Sequence, residues 1–218
     1  MSLARIATIA SALAAGLLLT ACFGPRIKGS GNEVKQGRQV AQFRRIDIRG
    51  STNVVARIGP STAITVSGDD NIVPHVRTEV HGDALIIDME DGSYSTNAPL
   101  LVTVSTPALD GISISGSASA QASGVTAERF DASISGSGDM EVQGTAGELE
   151  VSVSGSGDMR LYGLAARQAV VDVSGSGNIW LSAAEALEVQ VSGSGDVRYR
   201  GNPARVVKIS GSGSVEPG

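Results

Sequence analysis

Several residue types on which protein chemistry often depends are scarce in this 218-residue chain. There is one cysteine, which excludes an intramolecular disulfide and any multi-cysteine metal site. Two histidines are too few for a histidine-centred zinc site or catalytic constellation. Aromatic residues make up only 3% of the chain, although hydrophobic residues reach 41%. No basic run exceeds two residues, and the formal net charge is −5. A nucleic-acid partner is therefore excluded as the main ligand, because phosphate binding needs clustered Lys and Arg. No apolar run reaches the ~20 residues of a membrane-spanning helix. Together these absences argue against most enzymes and point to no cofactor.

Glycine and serine fill the space left by the scarce types, with 28 residues each. Such a fraction in a disordered chain would come with few aliphatic residues. Here Val and Ile are plentiful and regularly spaced, so the small residues belong to a pattern.

The N-terminus reads as a targeting segment. A short stretch carrying Arg5 is followed by the 14-residue apolar run 6–19 (IATIASALAAGLLL), which suits a signal-peptide core. It ends in Leu19-Thr20-Ala21-Cys22, similar to the lipobox of bacterial lipoproteins. That likeness implies cleavage before Cys22 and a diacylglycerol on its thiol. Two acyl chains give durable anchoring, at ~0.8 kcal/mol per buried CH₂. Phe23 stands where an Asp is associated with inner-membrane retention, so the expected location is the outer membrane of a bacterial envelope, on its periplasmic or exterior face. Residues 1–21 are then the signal peptide. Residues 22–39 are the lipidated N-terminus and a polar tether containing Pro25 and Gly29-Ser30-Gly31-Asn32, with structure beginning near Val40.

An internal repeat governs residues 40–218. Ser-Gly-Ser recurs with its glycine at Gly116, Gly136, Gly155, Gly175, Gly193 and Gly211, at intervals of 18–20 residues. All but the first continue to a second glycine, and there Ala118 substitutes. A period of two runs through each repeat: Leu149, Val151, Val153, Gly155, Gly157 and Met159 alternate with Glu150, Ser152, Ser154, Ser156 and Asp158. That period predicts strands with one buried and one wet face. Glycines on the buried phase permit a bend or a close approach by the opposite wall. The repeat is too short for a βαβ unit of about 30 residues. One coil per repeat remains: an all-β, right-handed parallel β-helix or β-solenoid of roughly 18–20-residue coils. A meander of hairpins would explain the alternation, but not the return of Ser and Gly in phase. The less regular first half is expected to form the initial coils of the same body, with longer excursions. A polar turn at 68–71 and a hairpin-like turn at His81-Gly82-Asp83 mark these excursions.

Stacked coils place like residues over like. Two serine columns and a third of Ser119, Asp139, Asp158, Asn178, Asp196 and Ser214 would line the outer wall. Hydrogen-bonded ladders explain such columns without a ligand. Calcium is the alternative for the acidic column, although the Gly-Gly-x-Gly-x-Asp nonapeptide of calcium β-rolls does not occur. Arg160, in the adjoining column of Glu141, Arg160, Trp180 and Arg198, is placed to neutralise Asp139 and Asp158. His75 and His81 flank a turn without a third ligand nearby. Trp180 and Tyr162 fall on the outward phase, where aromatics stack on sugars or anchor a partner.

The runs Phe43-Arg44-Arg45-Ile46-Asp47-Ile48, Val66-Ser67-Gly68-Asp69-Asp70-Asn71-Ile72 and Thr78-Glu79-Val80-His81-Gly82-Asp83-Ala84-Leu85, with the Ser-Gly-Ser-Gly-Asp repeats, resemble the head GIN domain family of putative autotransporter adhesins. The resemblance covers roughly residues 40–216. It implies a surface-anchored or secreted bacterial β-solenoid, and it carries over no catalytic residues. Three readings of function follow: a non-enzymatic module binding a glycan or an envelope protein, an envelope scaffold without a specific ligand, and a polysaccharide-cleaving enzyme. The last ranks lowest because the short connections leave little room for a cleft of unlike groups.

Overall fold

The computed structural model describes residues 26–218. The signal-peptide and Cys22 readings fall outside those residues. In the repeats, the alternation forms a parallel β-solenoid. Strands β11 (Ser119–Gly136), β12 (Asp139–Gly155), β13 (Asp158–Gly175) and β14 (Ile179–Gly193) pair in parallel with their neighbours at one-coil spacing. The register runs Ile134–Val153–Val173–Val191 and Ser135–Ser154–Ser174–Ser192. The first row is buried and the second exposed. No hairpin meander occurs here; every repeat strand pairs with one coil before and one after.

The coil turns at the repeated Gly-Ser corner. The first glycine of each corner has positive φ, as at Gly155 (127°) and Gly175 (136°), a region open to glycine alone at low cost. The following serine donates its N–H to the glycine carbonyl of the coil below, as in Ser176 to Gly155 (2.8 Å) and Ser194 to Gly175 (2.8 Å). A Cβ on Gly175 would overlap that Gly155 carbonyl oxygen. The second glycine serves packing: a Cβ on Gly177 would lie 2.6 Å from Cγ1 of Val153. Bend and close approach are therefore divided between the two glycines.

The first half builds the same solenoid in a different stacking order. Strand β3 (Arg45–Gly50) pairs in parallel on one side with β7 (Ala84–Met89) and on the other with β10 (Gly111–Gly116). Likewise β4 (Asn53–Ile58) lies between β9 (Leu101–Thr106) and β11. The coil that comes first in the chain is thus second in the stack. The chain then crosses it through residues 107–110, where Asp110 N–H donates to the Arg44 carbonyl (2.7 Å).

The excursions close this end of the stack. Strand β5 (Ala63–Asp69) runs antiparallel to β9 and to β2 (Glu33–Arg38). Strand β6 (Val76–His81) forms with β7 the hairpin expected at His81-Gly82-Asp83. Antiparallel strands here cover the apolar end of a parallel stack.

The reading of residues 22–39 as a tether needs correction. Strand β1 (Arg26–Lys28) pairs with β8 (Ser93–Ser95), and β2 pairs with β5, so structure begins well before Val40. The receptor for the polar run is the acidic turn at 69–71. The fully buried Asp69 carboxylate accepts N–H bonds from Gly31 (2.7 Å), Asn97 (2.9 Å) and Ala98 (3.0 Å). Asn71 Oδ1 accepts from Ser30 N–H (2.9 Å). Burial pushes the Asp69 carboxyl upward, but the N–H bonds from Ala98, Gly31 and Asn97 outweigh it and its pKa is lowered.

With a depressed folded pKa, this contact stabilises above the ordinary carboxylate range and is lost as pH falls through the lower, folded value. Acidification should therefore release residues 29–32 and 95–98 before the Val/Ile core opens. Asp69→Asn should do so at neutral pH, because its amide N–H₂ would face backbone donors. Hydrogen exchange at Gly31 and Asn97 reads this; unchanged protection in the variant would contradict the docking role.

At the opposite end, β16 (Ala204–Gly211) pairs with β14, and β17 (Val215–Pro217) with β15 (Val197–Arg200). Every residue of β16 is exposed. Arg205, in register with buried Leu187, lays its guanidinium 5.3 Å from the Tyr199 ring centroid and donates to the Tyr199 hydroxyl. A charge on the inward phase, with Lys208 beside it, discourages edge-to-edge strand pairing.

Candidate functional site

The outer wall is the surface that the repeat builds most regularly. Ser115, Ser135, Ser154, Ser174, Ser192 and Ser210 follow one another in register. Within the Asp/Asn column and its continuation at Asn53, three neighbouring pairs are hydrogen-bonded through their side chains. Asn53 Oδ1 accepts from Ser119 N–H (3.0 Å). Asp158 Oδ1 accepts from the Asn178 backbone N–H (3.1 Å) and side-chain amide (3.0 Å). Asp196 Oδ1 accepts from the Ser214 N–H (3.0 Å) and hydroxyl (2.8 Å). Arg160 sits 3.5 Å from Asp139 and 3.7 Å from Asp158, the neutralising role its column implied. Among the described residues, no three His, Cys, Asp or Glu side chains converge as a metal site.

Asn53 belongs to a further corner, outside the Ser-Gly-Ser series. Gly50-Ser51-Thr52-Asn53 stands in register with Gly116-Ser117-Ala118-Ser119, with Gly50 at φ 94°. The Gly-Ser pair followed by Asn was the available signal, but Arg49 in place of the first serine of Ser-Gly-Ser hid it.

A second cluster spans the chain crossover. Arg44 forks onto Asp110, Arg45 meets Asp131 (2.5 Å), and Arg129 bridges Asp131 (3.3 Å), Glu148 (4.0 Å) and Glu150. The groups surround an open hollow of about 450 Å³. Burial raises the Asp131 pKa, but the Arg45 and Arg129 hydrogen bonds outweigh it, leaving a net lowering. Each cation already has carboxylate partners, so this hollow is a stitch across coils. Exposed pairs of this kind contribute about 0–1 kcal/mol each.

The histidines do not come together as a site. His75 Nδ1 lies 2.7 Å from Glu90 Oε2, and His81 Nε2 lies 3.3 Å from Glu79 Oε2. Trp180 is outward and partly exposed, in register between Arg160 and Arg198. Tyr162 is likewise outward on the same face, whereas Tyr199 is buried.

These features define a parallel β-solenoid capped by antiparallel strands, with Gly-Ser corners and a repetitive polar wall. The family model described as "Putative auto-transporter adhesin, head GIN domain" matches residues 42–203, and the chain belongs to that family. Similar solved structures include a putative adhesin from Bacteroides fragilis, at TM-score 0.73 and 21% identity, covering 88% of this chain and 99% of that one. A putative adhesin from Parabacteroides distasonis aligns at TM-score 0.58 and 23% identity, with the same coverages. A putative lipid binding protein from the same organism aligns at 0.56 and 22%, again over 88% and 99%. At these identities the likeness is one of fold. No curated protein matches the sequence.

Proposed function

We propose that this is a lipid-anchored protein of the bacterial cell envelope. Held at the outer membrane through Cys22, it acts as a non-enzymatic, adhesin-like binding module. Membership of a family described as adhesins supports the coarse role. The observation that carries the reading is the repetition of the same outward side chains from coil to coil on a rigid wall. Repetition suits contacts distributed along a partner surface, whereas catalysis needs a few unlike groups converging on one point. The geometry also favours a stand-off arrangement. Cys22 precedes Arg26 by four residues, a reach of at most ~14 Å, and Arg26 lies at the capped end. An acyl anchor there would leave the long wall projecting from the membrane.

The test has two parts. Wild-type cells fed labelled fatty acid should label the protein and retain it in the outer-membrane fraction, while Cys22→Ser should take up no label and be released. Equal membrane retention of both, without labelling, would remove the anchor from the proposal. Cells displaying the wild type should adhere to a glycan or envelope surface more than cells lacking it. Turnover of a polysaccharide by the purified protein would overturn the non-enzymatic reading.

A further inference from the structure

The wall is not uniform. Beside the corners of its C-terminal coils, a grid of outward side chains departs from the Ser/Asp pattern: Arg160 and Tyr162 on β13, Trp180 and Ser182 on β14, Arg198 and Arg200 on β15. Trp180 lies in register between two arginines, and the Arg160 guanidinium sits 5.5 Å from its ring centroid. Ser182 is small, so Arg200 reaches over its row and lies 3.8 Å from the Tyr162 ring centroid. Two outward aromatics in a chain with 3% aromatic residues therefore share one face with three guanidiniums.

Two of the three guanidiniums on this face lack a carboxylate partner among the described residues. Arg44, Arg45, Arg49, Arg77, Arg129 and Arg167 each have a carboxylate within 4.0 Å, as does Arg160. Arg198 and Arg200 have none among the described residues, nor do Arg26, Arg38, Arg57 and Arg205, and Glu216 is the in-register neighbour of Arg198. Two guanidiniums without a carboxylate partner, beside the half-buried Trp180 ring, form a composite recognition surface. The fork of a guanidinium matches a carboxylate, and a ring accepts an apolar face.

We infer that this grid is a binding site for an acidic polysaccharide, with the Trp180 ring stacking on a sugar ring and Arg198 and Arg200, the latter held by the Tyr162 ring, taking the carboxylates of the polymer. The inference rests on the binding-module reading and gives it a site and a ligand class. A polymer fits better than a small molecule because the grid lies on a flat wall. Small ligands need concave sites that bury most of their surface, whereas a polymer sums modest contacts along its length. The anchoring membrane is not the partner. Trp180 stands four coil spacings from β4, ~19 Å away from the capped end that carries Arg26.

Trp180 is the only tryptophan, so its fluorescence reports on the site without a label. Full-length protein in detergent micelles should show saturable changes in Trp180 emission with polygalacturonate, none with dextran, and weakening as salt is raised. Arg198→Ala together with Arg200→Ala, in a chain with an unchanged melting temperature, should weaken binding on the order of tenfold or more. Trp180→Ala, followed by calorimetry, should do the same; Arg167→Ala should leave affinity unchanged. Polygalacturonate binding with silent Trp180 emission and normal affinity in the variants would overturn the site while leaving the binding-module reading intact. Adhesion of wild-type cells that polygalacturonate does not compete would overturn the ligand class with the same consequence. Equal emission changes with monomeric galacturonate or inorganic phosphate would overturn the polymer claim, and a Trp180-dependent preference for anionic phospholipid vesicles would replace the glycan by a membrane. Loss of all adhesion by wild-type cells would remove the binding-module reading itself.

Discussion

Val153→Asp is expected to abolish the cooperative folding of the central coils, while Ser154→Asp, one residue along the same strand, leaves them nearly unchanged. Val153 is 1% exposed and lies in register between Ile134 and Val173. Its Cγ1 occupies the space that Gly177 leaves by lacking a side chain. A carboxylate there would have aliphatic neighbours, and neutralising it would still leave a polar group without a partner. The cost is several kcal/mol after relaxation, against total stabilities of about 5–15 kcal/mol. Ser154 points outward between Ser135 and Ser174, where a substitution normally shifts stability within about 0.5 kcal/mol. Thermal unfolding followed by circular dichroism reads both variants. Similar midpoints for the two would contradict the inward and outward assignment of the strand.

The contrast between these neighbours was legible because two periods coincide. The period of two decides which face each residue occupies, and the 18–20-residue return of Gly-Ser aligns those faces between coils. Together they leave one parallel register, and Ile134–Val153–Val173–Val191 follows it. Stacking order in the first half carries no comparable signal. The free edges of β3 are alike in hydrogen-bonding capacity, so nothing local to residues 45–50 tells which side receives β7 and which β10. The answer depends on the route of the chain through residues 107–110 and on the Arg44–Asp110 fork, a contact across 66 residues. The docked N-terminus was hidden for the same reason. Gly-Ser-Gly-Asn reads as flexible by composition, and its receptor Asp69 lies 38 residues from Gly31.

The outward wall shows the same division. The column Glu141–Arg160–Trp180–Arg198 was readable by counting coils, and the register contains it. The Arg200 contact with Tyr162 was not, since it passes over Ser182, and the pairing of β13 and β14 shifts between Leu161 and Ala165. Counting residues across that irregularity gives the wrong neighbours. The acidic column could be read either as a cation ladder or as a hydrogen-bond ladder from composition alone. What composition does not show is the backbone's part, for Asn178 and Ser214 present N–H groups to Asp158 and Asp196.

Gly175→Ala should destabilise the protein by several kcal/mol, even though it adds one methyl group at a half-buried corner. Two costs combine. The backbone at Gly175 has φ 136°, and holding a residue other than glycine in such a sparsely populated region costs about 1–3 kcal/mol. The added Cβ would also overlap the Gly155 carbonyl oxygen. That oxygen cannot simply move aside, because it accepts the Ser176 N–H at 2.8 Å, and the Gly175 carbonyl accepts Ser194 in the next coil at the same distance. Relief of the clash must therefore stretch the corner ladder on both sides. In a solenoid each coil is stabilised by its neighbours, so the loss should spread to the coils above and below. Gly37→Ala is the internal comparison. Gly37 lies in exposed β2, has no atom within 4 Å of the Cβ position and no positive φ. There the substitution should be neutral or stabilise by about 0.4–1 kcal/mol through the unfolded chain. Denaturant midpoints of the two variants decide the matter: a Gly175→Ala protein as stable as Gly37→Ala would mean that the repeated glycine is not what closes the coil.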